Sequence, residues 1–258
     1  ILSRLPSEAL PDNRCEAIAG AAKLRAPLEH PLLWRRSAVS GEEMPQSVKT
    51  ISSPLRVGVV GTGYLGKFHA EKYSRMEDVE LVGVADIDGQ AAETVARHCG
   101  TQPYTDYRRL FDAVDAVSIV VPTSDHFEVS RQFLARGVDV LIEKPMTTTL
   151  AEADALIRMA ESNHLIIQVG HLERFNPAVV ALRDILDQPM FIESHRLAMF
   201  KPRATDVSVV LDLMIHDIDL ISNFAHSELI SVHAAGAPVV SGEVDIANAR
   251  LEFDSGCV

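Results

Sequence analysis

The sequence is short of cysteine, of basic charge and of long apolar runs, and each shortage removes a class of function. Its three cysteines, Cys15, Cys99 and Cys257, lie far apart with no CxxC or CxxH spacing. They offer neither a disulfide framework nor a zinc site, so no metal is expected and each thiol reads as free in a reducing compartment. The formal charge of -12 over 258 residues gives no support to a nucleic-acid partner, because phosphate binding needs clustered Lys and Arg. No uninterrupted apolar run reaches the ~18 residues of a membrane span, and the start lacks the basic-then-apolar order of a secretory signal. Internal repeats and low-complexity tracts are missing too. The expectation is a cytoplasmic chain with neither membrane nor nucleic acid as a partner.

What is there is enough apolar residue, 47% against 23% charged, to bury a sizeable core. The charge is uneven: residues 1–54 carry a net +1 and six of the 13 prolines, whereas residues 55–258 carry -13. Within 1–54 only Arg14 to Leu24 reads as a short helix, and the first methionine is Met44. The expectation is a poorly structured stretch whose residues 1–43 extend a native start near Met44. From Leu55 the texture changes. "LRVGVVG", "VELVGVAD", "DAVSIVVP", "VDVLIEKP" and "LIIQVGH" are apolar strands without polar alternation, separated by helical segments. That pattern requires a parallel sheet covered on both faces, a doubly wound α/β domain of the Rossmann type over residues 55–170. Residues 171–258 read differently: a helix from Asn176 to about Leu186, a long helix around "VVLDLMIHDIDLISNF", then two successive strand-like runs, "LISVHAAGAPVV" and "VDIANARLEFD". Strands that follow strands predict an α+β domain with a largely antiparallel sheet. The chain stops directly after a strand, so that sheet is expected to be incomplete.

"VGVVGTGYLGKFHA" sets Gly61, Gly63 and Gly66 in G-x-G-x-x-G spacing between a strand and a helix, with Tyr64 and Leu65 inside the turn. In that context Gly61 makes the tight turn, Gly63 admits a pyrophosphate to the backbone, and Gly66 lets helix and strand pack closely. The helix N-terminus meets the phosphate charge. Asp86 ends the second strand, where a carboxylate accepts from the adenosine ribose hydroxyls and repels a 2′-phosphate, favouring NAD over NADP; Asp88 competes for that role. Pro122, Thr123 and His126, after the third apolar strand, fall beside the nicotinamide half. Glu143, Lys144 and Pro145 end the fourth, at the sheet edge where open α/β folds hold their ligands. On the long helix Asp212 and His216 stand at i, i+4, and Asp219 three further on, a polar stripe on a mostly apolar helix. Arg174 and Asn176 either anchor a phosphate or sugar, or cap and cover the helix they precede.

The glycine turn continuing to His69, Pro122 with His126, the Glu143-Lys144-Pro145 triplet, Arg174-Phe175 and the Asp212…His216 pair together resemble the Gfo/Idh/MocA family of sugar and polyol oxidoreductases, over about residues 55–258. "GHLERFNPAV" and "RATDVSVVLDLMIHDIDLI" are most similar to members that oxidise UDP-N-acetylglucosamine at its 3-hydroxyl, linked to lipid A synthesis. The resemblance implies Lys144 as catalytic lysine, His216 sharing the acid–base work and Asp212 orienting it. It also implies Glu143 near the lysine or the nicotinamide ribose, Pro145 stiffening the strand exit with a cis or a trans bond left open, and association of whole subunits through the second domain's sheet. Family members often carry Gly where this chain has Met214. Two alternatives stand beside the nucleotide-sugar reading: an inositol or simple-sugar dehydrogenase, and a dinucleotide-sensing protein without catalysis.

Overall fold

The computed structural model describes residues 53–183, 185–199 and 208–258; the expected helix at 14–24 and the extension to residue 43 lie outside the described residues. Strands and helices alternate from Leu55 as the uninterrupted apolar runs require. Strand β1 (Leu55–Val60) leads into helix α1 (Tyr64–Tyr73), and β2 (Val79–Ala85) into α2 (Gly89–Cys99). There follow β3 (Gln102–Tyr104), β4 (Ala116–Ile119), α3 (Thr123–Leu134), β5 (Asp139–Ile142), α4 (Leu150–Asn163) and β6 (Ile167–Val169). The six strands are parallel, in the order β3-β2-β1-β4-β5-β6. Strand β3 is the element that apolar patterning passes over. It has three residues, one of them Pro103, and lies at the sheet edge, where proline is tolerated.

Helices cover both faces of the sheet. Val59, Ala70, Val84, Val95 and Ala96 pack on the side of α1 and α2, and Ile119, Phe133, Leu134, Ile142 and Leu156 on the side of α3 and α4. Burying each of the larger side chains is worth about 1.5–3 kcal/mol. The helix ends are set locally. The Asp88 carboxylate accepts the amides of Gln90 and Ala91 at 2.9 and 3.2 Å, and Gly100, at φ 68°, closes α2. Thr149 and Glu152 cap α4 reciprocally. Because β1 and β4 are neighbours whose helices leave to opposite faces, a crevice opens between them at the carboxyl ends of the strands.

Beyond β6, helix α5 is described over Pro177–Arg183, and the Leu186 amide donates to the Leu182 carbonyl oxygen at 2.9 Å. Helix α6 (Ile215–Ala225) is preceded by a π-helical turn over Val210–Met214. Strands β7 (Leu229–Ala237) and β8 (Ile246–Phe253) form an antiparallel two-stranded sheet. The described residues fall within one compact unit, Ile51–Val258. None of their helices is long and apolar enough to cross a membrane.

Candidate active site

The glycine turn sits at the mouth of the crevice, and each glycine has a physical reason. Gly61 has φ +93°, and a Cβ there would drive into the Val120 carbonyl. A Cβ on Gly66 would overlap the Gly61 carbonyl oxygen, so this residue is what allows α1 to close on β1. Gly63 is the opposite case: nothing lies within 4 Å of its absent side chain. It borders an open cleft of ≈ 430 Å³ lined by Thr62, Tyr64, Lys67, Asp88 and Gln90 among others. An open backbone cradle at a helix N-terminus fits a dinucleotide pyrophosphate. Tyr64 and Leu65 are exposed on the first turn of α1.

Asp86 follows β2 directly, and its carboxylate braces the turn. Oδ2 accepts from the Thr62 amide at 2.7 Å and the Thr62 hydroxyl at 2.9 Å, and Oδ1 accepts the Asp88 amide at 2.9 Å. A carboxylate oxygen has two lone-pair directions, so Oδ1 keeps capacity for a ribose hydroxyl. Asp88, its competitor, spends an oxygen on capping α2.

Pro122 and Thr123 begin α3 at the crevice edge. His126 departs from the expected position: it is 1% exposed, with Nδ1 2.9 Å from the Pro145 carbonyl oxygen and Nε2 2.9 Å from that of Val121. Both ring nitrogens face backbone carbonyls, so His126 ties the two strand-end loops together.

Glu143 and Lys144 leave β5 at the same edge. Glu143 is 6% exposed, and the Lys144–Pro145 peptide is cis. Burial opposes ionisation of Glu143, but the hydrogen bonds from His69 and from the Lys144 amide outweigh it and hold the carboxyl below its ordinary value. The Lys144 ammonium donates to the Asp212 carbonyl oxygen at 2.6 Å and to the Asp212 carboxylate at 3.2 Å. Asp212 lies on the π turn, a local widening that recurs at functional sites. His216, one turn on, is pushed below its ordinary value, first by burial and then by the charges of Lys144 and Arg196, against the pull of Glu173 and Asp217. It is therefore neutral at neutral pH and able to take up a proton.

Asp219, the third member of the stripe, is 8% exposed and forms a two-point ion pair with Arg174. Arg174 thus clamps the segment after β6 to α6. Asn176 caps α5, its side-chain oxygen accepting the Ala178 amide at 3.0 Å. Two imidazoles beside this cluster were not singled out by spacing. His171 lies with Nδ1 3.6 Å from Asp219, and burial foremost lowers its pKa. His69 bonds Glu143 from α1. The signal for His69 is present in the sequence: with Tyr73 it puts two polar residues four apart on the stripe of α1 that also carries Gly66 and Ala70.

With this geometry in place, known proteins supply the context. Residues 55–171 match the family model described as an oxidoreductase family with an NAD-binding Rossmann fold. A solved structure of UDP-N-acetylglucosamine 3-dehydrogenase from Acidithiobacillus ferrooxidans is 42% identical with TM-score 0.74, covering 79% of this chain and 67% of that one. This chain belongs to the Gfo/Idh/MocA oxidoreductase family. Its other relatives include scyllo-inositol 2-dehydrogenase (NAD(+)) of Bacillus subtilis, 31% identical over 78% of this chain and 65% of the relative. A structure of a putative myo-inositol dehydrogenase from Sinorhizobium meliloti aligns at TM-score 0.69 and 26% identity, covering 79% of this chain and 67% of that one. The chain spans 65% of the length of the curated A. ferrooxidans relative.

Proposed function

We propose that this family member is an NAD-dependent dehydrogenase that oxidises a sugar ring hydroxyl, namely the 3-hydroxyl of UDP-N-acetylglucosamine or of a related nucleotide sugar. The observation that carries the reading is Lys144, held by Asp212 at the carboxyl edge of the parallel sheet beside the glycine turn. NAD supplies the hydride acceptor when bound. Gly61, Gly63 and Gly66 would cradle its pyrophosphate, with Tyr64 and Leu65 on the first turn above; Asp86 would take the adenosine ribose, and Pro122 and Thr123 would flank the nicotinamide half.

The protein's own work is proton transfer and orientation. A sugar hydroxyl is a poor acid, so its oxygen needs a positioned base as hydride leaves the carbon. Lys144 and the neutral His216 exchange that proton, Asp212 holds the ammonium in place, and Glu143 orients the lysine or the nicotinamide ribose. The A. ferrooxidans relative supports the nucleotide-sugar substrate, and through it an amino-sugar route such as that to lipid A. The inositol dehydrogenases among the relatives support a second substrate class, inositols and simple sugars.

The test is NADH formation followed by absorbance, with NAD and a panel of UDP-sugars, inositols and simple sugars, and an aminotransferase with glutamate to draw off a 3-keto product. Turnover confined to UDP-N-acetylglucosamine is expected. Turnover on inositols alone would transfer the assignment to that class. Tight NAD binding with no turnover on any of them would replace catalysis by dinucleotide sensing.

A further inference from the structure

Helix α1 turns Gly66, His69, Ala70 and Tyr73 toward the sheet, and opposite them β4 carries Ser118, fully buried in an otherwise aliphatic strand. Polar groups in such a layer must satisfy one another. Here they form a chain. The Tyr73 hydroxyl is 2.7 Å from Ser118 Oγ, Ser118 Oγ is 3.2 Å from His69 Nδ1, and His69 Nε2 is 3.0 Å from Glu143 Oε1. The other oxygen, Glu143 Oε2, accepts the Lys144 amide at 3.2 Å. Gly170 at the end of β6 closes the remaining side: a Cβ there would sit 3.0 Å from Oε1 and 3.2 Å from Oε2.

With a neutral imidazole at His69, an ionised Glu143 leaves one ordering of hydrogens. A carboxylate accepts and cannot donate, so His69 Nε2 must carry a hydrogen. Nδ1 then accepts from the Ser118 hydroxyl, and Ser118 accepts from Tyr73. Each donor in the row finds an acceptor. The row runs from the helix opened by the glycine turn to the residue that precedes Lys144.

We propose that His69 is a positioning residue of the dehydrogenase site, fixing the Glu143 carboxylate, and through it the Lys144 backbone, in the tautomer with hydrogen on Nε2. The function of the device rests on the reading of this crevice as a nicotinamide site, whereas the tautomer does not. Without the imidazole, the buried carboxylate loses the partner on Oε1 and swings or takes up a proton. The strand-end geometry that aims Lys144 loosens with it.

Two measurements test the proposal. Nitrogen NMR of the histidine rings in the cofactor-free protein at neutral pH is expected to show His69 with hydrogen on Nε2 and a lone pair on Nδ1, a preference that relaxes in Glu143→Gln. Hydrogen on Nδ1 with none on Nε2, or a ring indifferent to Glu143→Gln, would overturn it. This spectrum needs neither substrate nor cofactor, so its failure is distinct from failure of the substrate assignment, and it stands even where a leucine variant does not fold. The second measurement is a double-mutant cycle on steady-state kinetics. His69→Leu is expected to lower kcat by about ten- to a hundred-fold with KM nearly unchanged, and His69→Gln, which keeps a donor for Glu143, to recover most of the loss. Added to Glu143→Gln, His69→Leu is expected to cost little more than about two-fold. Losses that multiply across the cycle, or a His69→Leu protein with native kcat, would contradict the proposal.

Discussion

Lys144 is held twice by Asp212, through a backbone carbonyl oxygen and through a carboxylate, and only the second hold depends on the side chain at 212. Asp212→Ala is therefore expected to lower kcat by about ten- to a hundred-fold, while Lys144→Ala, which removes the amine itself, lowers it by about a thousand-fold or more. NAD affinity measured by calorimetry should stay near native in both. Equal losses in the two variants would mean that the carboxylate is as essential as the amine, and more than a support for it. Asp86→Ser is a different case. Its carboxylate braces Thr62 and is also the proposed ribose contact, so NAD binding and melting temperature should fall together while exclusion of NADP relaxes; unchanged cofactor selectivity would assign the ribose contact elsewhere. Lys144, Asp212 and His216 could be picked out of the sequence as candidates because a strand-end lysine and an i, i+4 pair are local patterns, and the structure brings Lys144 and Asp212 into contact. The pairing of Arg174 with Asp219 was not, since the partners are 45 residues apart and helix spacing says nothing of what faces the stripe. The burial of His126 was hidden for a related reason: position after a strand does not say that the ring turns inward between two carbonyls.

At the scale of elements, the glycine turn separates folding from binding. Gly66→Ala would push a methyl into the Gly61 carbonyl, so α1 could not close on β1, and a stability loss of about 1–3 kcal/mol is expected from the overpacking. Gly63→Ala meets nothing within 4 Å. Its stability by denaturant titration should remain within about 1 kcal/mol of native, yet its NAD affinity should fall by at least about ten-fold, since the methyl enters the space through which a pyrophosphate approaches. Native NAD affinity in Gly63→Ala would place the pyrophosphate elsewhere. The parallel sheet was readable because continuous apolar strands between helices have few other solutions. Strand β3 was not, being three residues long and carrying a proline. The π turn over Val210–Met214 also escaped, because a local widening leaves the apolar periodicity of the helix almost untouched.

For the whole molecule, partly buried imidazoles set the response to acid. His171 and His216 are both held below their ordinary value of 6.5, burial first in each. Around His171 stand Asp219, Arg174, Glu143 and Lys144; around His216, Lys144, Arg196, Glu173 and Asp217. Below the ordinary value the unfolded chain binds more protons than the folded one, so this stability is present above it and is lost as pH falls through the lowered values. Glu143, held below 4.5, adds a second loss at lower pH with the same sign. Melting temperature should therefore drop from neutral toward mildly acid pH, and His171→Gln should flatten the first part of the drop; a melting temperature independent of pH in that range would contradict the assignment. Strands β7 and β8 expose Ile230, Val232 and Ile246, and light scattering on the whole protein is expected to show a homo-oligomer built on that sheet. The central claim concerns one hydride. Incubation with NAD and UDP-N-acetylglucosamine deuterated at carbon 3 should place deuterium on the reduced nicotinamide in the native protein and not in Lys144→Ala. Oxidised product with deuterium retained at carbon 3, or released to water with none on the nicotinamide, would contradict it.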